Sequence, residues 1–296
     1  MKDKSDLSEI IRLQDVMVNK DFLPILEENH LTSFPSLMNY PGGQVVKKLI
    51  PARSTVSFEL KSGKQVVNVF LKRYHPLPFV ERIKPPLSLF LPYTALREWE
   101  NILMFHRVHL PTVTPVAAGM KQRGIFSRES FLLTKGLEGT IRLEDLIPEH
   151  FAPPLPPEVF LEKRALIRQL ALLTQKMHNS GFNHRDFYLC HILARKDGAQ
   201  AWELFICDLH RVDRRKKVGM RWRVKDLAAL NYSAPGKLVS ARDRICFLKQ
   251  YLNRENLDHE ARSFIMKIVR RTTRMKRHNV KRTHAGPENL PAGIVR

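Results

Sequence analysis

Cysteine is scarce: three residues in a chain of 296, at Cys190, Cys207 and Cys246. Their odd number, wide separation and apolar neighbours point to reduced core thiols and exclude a disulfide framework or a zinc site. Long apolar runs are absent as well. None approaches the ~20 residues that span a bilayer. Met1-Lys2-Asp3-Lys4-Ser5-Asp6 lacks the apolar stretch of a secretory signal. The expectation is a globular protein that stays in the cytosol. Histidine offers no metal cage, because His106 and His109 form an H-x-x-H with no Cys or acid nearby at ligand spacing. The largest deficit is in acids, 29 Asp and Glu against 50 Lys and Arg, for a formal net charge of +21. Such an excess calls for an anionic partner or surface. It is concentrated in two places. Arg211, Arg214, Arg215, Lys216, Lys217, Arg221, Arg223 and Lys225 form one cluster, and Lys267 to Arg282 holds eight Lys or Arg without an acid. There is no RNP-like or zinc-finger pattern and little aromatic interleaving, so nucleic acid is not the expected partner.

At this length the chain can bury a substantial core in two lobes. Residues 1–44 are polar apart from Phe22, Leu23, Ile25 and Leu26, and read as an N-terminal extension leading into a sheet. From Gln44 to Tyr74 the pattern is that of strands: Val45-Val46, then Thr55 to Leu60, a turn at Lys61-Ser62-Gly63-Lys64, then Val66 to Lys72. The last ends in Val69-Phe70-Leu71-Lys72, an apolar strand terminating in a lysine, as in the V-A-I-K strand whose Lys pairs with phosphates and with a helix carboxylate. A glycine-rich phosphate loop is expected between the first two strands. Lys48 to Thr55 contains no glycine, which leaves Arg53 as the candidate phosphate contact there.

After a proline-rich basic insertion, Pro76 to Pro92, a helix is predicted from Thr94, its cap, to Phe105. Glu98 or Glu100 can reach Lys72 from it, and Glu98 is favoured because Ala95, Trp99 and Ile102 form the adjoining packed face. A strand over Ser130 to Thr134 leads into Lys135-Gly136-Leu137, which reads as a hinge between lobes whose backbone bonds an adenine edge. A second helix, from about residue 158 and closed by Gly181, feeds into His184.

There the chemistry is densest. His184-Arg185-Asp186-Phe187-Tyr188-Leu189-Cys190-His191 follows the H-R-D-x-x-x-x-N form, in which a carboxylate orients an attacking hydroxyl and a side chain five residues on holds a metal ion. Asp186 is that carboxylate, with Arg185 beside it, and His191 stands where Asn is usual. The apolar run Leu204-Phe205-Ile206 leads to Asp208, placed like the Asp of D-F-G to bind a Mg²⁺ that bridges nucleotide phosphates. In Arg221 to Leu230, Asp226 resembles the acid that braces such a loop from below. Ser240 to Asp243 forms a capping box, and a last helix begins near Asp258.

The catalytic loop, Asp208-Leu209-His210-Arg211, Arg221 to Leu227 and Ala95-Leu96-Arg97-Glu98-Trp99 together resemble the bacterial lipopolysaccharide core heptose kinase family, from about Gly43 to Lys276. The resemblance implies an α+β, protein-kinase-like, two-lobed fold: a small β-rich N-lobe over 45–137 with one key helix, a larger helical C-lobe over 138–282, and a tail over 283–296. It also implies ATP with Mg²⁺, and phosphorylation of a heptose hydroxyl of the lipopolysaccharide inner core by a peripheral protein at the cytoplasmic face of the inner membrane. The expected partners are the core acceptor and the anionic membrane surface. The catalytic set is Asp186, Lys72 and Arg185; Lys72, Glu98, Arg53, Lys135 and Leu137 serve the nucleotide; Asp208 and His191 serve the metal. Two other readings are a kinase of the same fold acting on a Kdo sugar or a protein, and a non-catalytic basic module binding membrane or nucleic acid. Retention of Lys72, Asp186 and Asp208 together argues against the second.

Overall fold

Two compact units make up the chain, one running to Glu138 and the other beginning at Gly139. The computed structural model describes residues 9–50, 53–75, 95–124, 127–198 and 201–284. The expected Thr94 cap and the Pro76 to Pro92 insertion lie outside these residues, as does most of the tail.

In chain order the first unit holds β1 (Ile10–Leu13), β2 (Val16–Asn19), α1 (Leu23–Glu28), α2 (Phe34–Met38), β3 (Gln44–Ile50), β4 (Arg53–Ser62), β5 (Gln65–Tyr74), α3 (Ala95–Arg107), β6 (Thr114–Gly124) and β7 (Ser127–Lys135). Its strands form one seven-stranded sheet in the order β1-β2-β6-β7-β5-β4-β3, antiparallel throughout. Alternation along β5 divides the faces. Val67, Val69 and Leu71 are buried with Leu133 and Ala117 in the core that also takes Leu26, Phe34 and Leu37 of the short helices. Lys72 turns to the opposite face, where its register partner Leu132 pairs in turn with Ala118. There α3 packs with Ala95, Trp99, Ile102 and Phe105 buried at helical spacing.

Of the residues read as an N-terminal extension, 1–44, the structure describes those from Glu9 onward, and they join the sheet. Val16 and Val18 are fully buried, β2 pairs with β6 from Val16↔Gly119 to Val18↔Ala117, and Ile25 and Leu26 enter the core. These residues close one side of the sheet. Gly119 is required at that contact, because a Cβ there would come within 2.6 Å of the Phe131 ring and 2.8 Å of the Asp15 carbonyl.

The second unit holds β8 (Ile141–Arg142), α4 (Leu143–His150), α5 (Pro157–Asn179), β9 (Phe182–Asn183), β10 (Ile192–Lys196), β11 (Trp202–Ile206), β12 (Asp213–Arg214), α6 (Met220–Ser233), α7 (Ala241–Leu252) and α8 (His259–His284). Its helical core joins Ala171 of α5, Leu227 and Ala228 of α6, Leu248 and Tyr251 of α7, and Phe264 and Ile268 of α8. The Ser240–Asp243 capping box is present, and the buried Lys163 ties it to α5 by bonding Asp243 at 2.9 Å. Gly181 ends α5 at φ +87°, where a Cβ would lie 2.2 Å from the Arg215 carbonyl. That close approach lets β9 pair with β12 and delivers the chain to His184.

Candidate active site

In the first unit Lys72 Nζ donates to Glu98 Oε1 at 2.6 Å, and Glu98 is 2% exposed. The geometry follows from two periods. Lys72 is out of step with the core residues of β5, and Glu98 lies between Ala95 and Trp99 on the buried face of α3, whereas Glu100 is exposed. Arg53 opens β4 opposite Tyr74, with its guanidinium 5.0 Å from that ring. Lys135 ends β7 opposite Val69, the Gly136 N–H donates to the Asn68 carbonyl at 2.8 Å, and half-buried Leu137 follows.

In the second unit the catalytic-type loop is held by Asp226, which is fully buried. One of its oxygens accepts the His184 N–H at 2.7 Å and the other the Arg185 N–H at 2.8 Å. Arg185 has φ +73°, a left-handed backbone that costs a non-glycine residue about 1–2 kcal/mol. Asp226 is what holds it. The acid is itself positioned through buried groups: Tyr251 Oη donates to His178 Nδ1 at 2.8 Å, and His178 Nε2 faces Asp226 at 3.3 Å. Burial pushes the Tyr251 hydroxyl up to about 12. Burial, reinforced by neighbouring His191, drives His184 down to about 4, so its neutral ring donates from Nε2 to the Cys207 carbonyl at 3.0 Å.

Asp186 is thereby presented at the surface of the loop, with Arg211 Nη1 donating to its two oxygens at 2.8 and 2.9 Å. Arg185 Nη1 lies 3.5 Å from Asp213. Asp208 sits past the β10–β11 hairpin at φ +60°, and His210 Nδ1 bonds its Oδ1 at 2.7 Å. His191 joins the two acids: its Nδ1–H donates to the Asp186 carbonyl at 2.7 Å, and its Nε2 faces Asp208 Oδ2 at 3.4 Å. A cation shared between this nitrogen and the Asp208 carboxylate, metal ion or proton, would satisfy both groups. Among the described residues no three His, Cys, Asp or Glu side chains form a metal cage. Mg²⁺ needs none, since it is held by one or two carboxylates plus phosphate oxygens and water. Asp208 fits it as a hard donor; the nitrogen of His191 is the weaker ligand of the two.

Three contributing residues escaped the sequence reading. Arg211 was part of a basic cluster, and its place three residues after Asp208 was the only signal of its contact with Asp186. His178 and Tyr251 belong to no motif that the sequence singles out, and their contacts join helices far apart in the chain.

An ion-paired strand lysine in an α/β unit, and a helical unit presenting a braced H-R-D loop with a second acid past a hairpin, are the parts of a kinase-type phosphotransferase. Residues 52–251 match the model of the lipopolysaccharide kinase (Kdo/WaaP) family. The chain is 38% identical over 216 residues to the Escherichia coli K12 lipopolysaccharide core heptose(I) kinase WaaP, covering 71% of this chain and 77% of that one. It is 36% identical over 189 residues to the protein of the same name from Pseudomonas aeruginosa PAO1, covering 62% and 69% of the two chains. A solved structure described as WaaP in complex with acyl carrier protein superposes with a TM-score of 0.65 at 28% identity, over 88% of this chain and 96% of that one. The protein belongs to the lipopolysaccharide kinase (Kdo/WaaP) family and has its protein-kinase-like fold. It is an ATP-using phosphotransferase of lipopolysaccharide core synthesis.

Proposed function

We propose that the protein phosphorylates a hydroxyl of a heptose in the lipopolysaccharide inner core, working at the cytoplasmic face of the inner membrane. What carries the reading is Asp186, presented to an acceptor by a loop that Asp226 braces, in a chain whose curated relatives are heptose(I) kinases. The acceptor oxygen bonds to the terminal phosphorus of ATP, the bond to the bridging oxygen breaks, and ADP leaves. Asp186 orients the hydroxyl and takes its proton. Lys72, fixed by Glu98, offers its ammonium to nucleotide phosphate, with Arg53 as a further contact, and the Lys135 to Leu137 backbone meets the base. Bound Mg²⁺ would neutralise charge on the phosphates, with Asp208 as its principal protein ligand and His191 beside it. Mass spectrometry of lipopolysaccharide from cells with and without the gene tests this: loss of one phosphate from a core heptose is expected. An unchanged core, or loss from another sugar, would overturn the acceptor assignment.

The membrane part rests on α8. Arg270, Arg274 and Arg277 are exposed at helical spacing, while Phe264 and Ile268 are buried against the unit. Lys281 continues the stripe in sequence, its side chain lying outside the described residues. Among the described residues no helix is long and apolar enough to cross a membrane. Basic groups near an anionic leaflet contribute about 1 kcal/mol each and act within a Debye length of ~8 Å. Changing these four residues to Gln should cut sedimentation with anionic liposomes at moderate salt and leave ATP affinity unchanged. Equal sedimentation of variant and wild type would remove the membrane role of the stripe.

A further inference from the structure

Beside Asp186 the second unit has a cavity of about 250 Å³, lined by Arg185, Asp186, Arg211, Lys225 and Arg271 among others. Four cations meet one carboxylate there, and Arg211 already engages that carboxylate. Asp213 lies against Arg185, but at 3.5 Å. The Nε atoms of Arg185 and Arg271 are buried without a hydrogen-bond partner. Buried guanidinium donors left unsatisfied cost free energy, and cations crowded in a partly buried site repel. Burial first, and then Arg185 and Arg211, hold the Lys225 ammonium below its usual range. Solvated charge does not account for Arg271, which is half-buried while Arg270 and Arg274 of the same helix are exposed.

We propose that this cavity is an oxyanion subsite, in which Arg185, Arg211, Lys225 and Arg271 hold a carboxylate or phosphate carried by the acceptor next to the hydroxyl that Asp186 engages. The inference deepens the heptose kinase reading and rests on it for the identity of the acceptor. The volume is below the ~300–1,000 Å³ of pockets that enclose a whole drug-sized ligand, so it receives about one sugar unit of a larger glycan. Guanidinium groups suit either anion, because their planar donors bond two oxygens at once. The anion also competes with Asp186 for Arg211. An acidic acceptor therefore draws Arg211 from the carboxylate as it brings the hydroxyl up, and a neutral sugar does not. The acceptor chemistry selected is that of acidic core sugars.

Calorimetry with the full chain tests this without turnover. The titrants are a heptose-containing core oligosaccharide in native form, its carboxyl methyl ester, and a phosphatase-treated sample. One of the two treatments should weaken binding about tenfold, identifying the anion. Arg271→Gln and Lys225→Gln should each weaken native binding by about the same factor and bring the native-to-neutralised ratio close to one, with Arg271→Lys retaining part of it. Thermal melts establish that each variant is folded. Equal wild-type binding of all three titrants, or variants that weaken every titrant alike, would overturn the subsite. Arg271-dependent acid binding without any phosphorylation of heptose would instead overturn the kinase reading and leave the subsite standing. Phosphorylation at equal efficiency on native and neutralised acceptors would do the reverse.

Discussion

Asp186→Ala should lose phosphoryl transfer while nucleotide still binds. Positioned acid–base groups contribute about 10²–10⁴-fold, and a loss in that range is expected from single-turnover assays. The loop should survive the change. Its shape depends on Asp226, which accepts the His184 and Arg185 N–H groups, and on the Asp186 carbonyl, which receives His191 and is untouched by a side-chain substitution. Asp208→Ala should behave differently, weakening the binding of Mg-nucleotide as well as turnover. Calorimetric titration of nucleotide with and without Mg²⁺ separates the two: Asp186→Ala keeps the metal-dependent gain in affinity and Asp208→Ala loses it. Activity equal to wild type in either variant would end the assignment of that residue.

The second large effect concerns Lys72 and Glu98. The carboxylate is almost wholly buried and the lysine about a quarter exposed, so removing one partner leaves an uncompensated charge at a cost of about 3–5 kcal/mol. Lys72→Ala should therefore lower both turnover and melting temperature. Glu98→Ala should follow it, with turnover down about 10²-fold for loss of a fixed phosphate contact. Glu100→Ala, exposed on the other side of α3, should change little. The double variant Lys72→Met, Glu98→Leu distinguishes chemistry from folding: apolar replacement of a buried pair is often neutral or stabilising, so stability should return and activity should not. A larger loss at Glu100 than at Glu98 would contradict the pairing.

The sequence made Lys72 and Glu98 legible because both signals are local. A strand of period two puts Lys72 opposite its core residues, and a helix of period 3.6 groups Glu98 with Ala95, Trp99 and Ile102. The H-R-D loop, the apolar run before Asp208 and the capping box at Ser240 were visible for the same reason. The N-terminal strands were not. β1 and β2 are four residues each, too short for alternation to stand out, and their burial depends on pairing with β6 a hundred residues away. Charge was read at the right size and with the wrong resolution. Lys216 and Lys217 are exposed, yet Arg211 and Lys225 of the same cluster line the cavity at Asp186. No spacing rule distinguishes them, since the direction of each side chain is set by the docking of α6 and α8.

Transfer of the labelled terminal phosphate of ATP to purified, dephosphorylated inner-core oligosaccharide, with NMR location of the new ester, tests the central claim most directly. Wild-type protein should place one phosphate on a heptose hydroxyl, and Asp186→Ala should place none above background. Label on a different sugar, or equal transfer by the variant, would contradict the account.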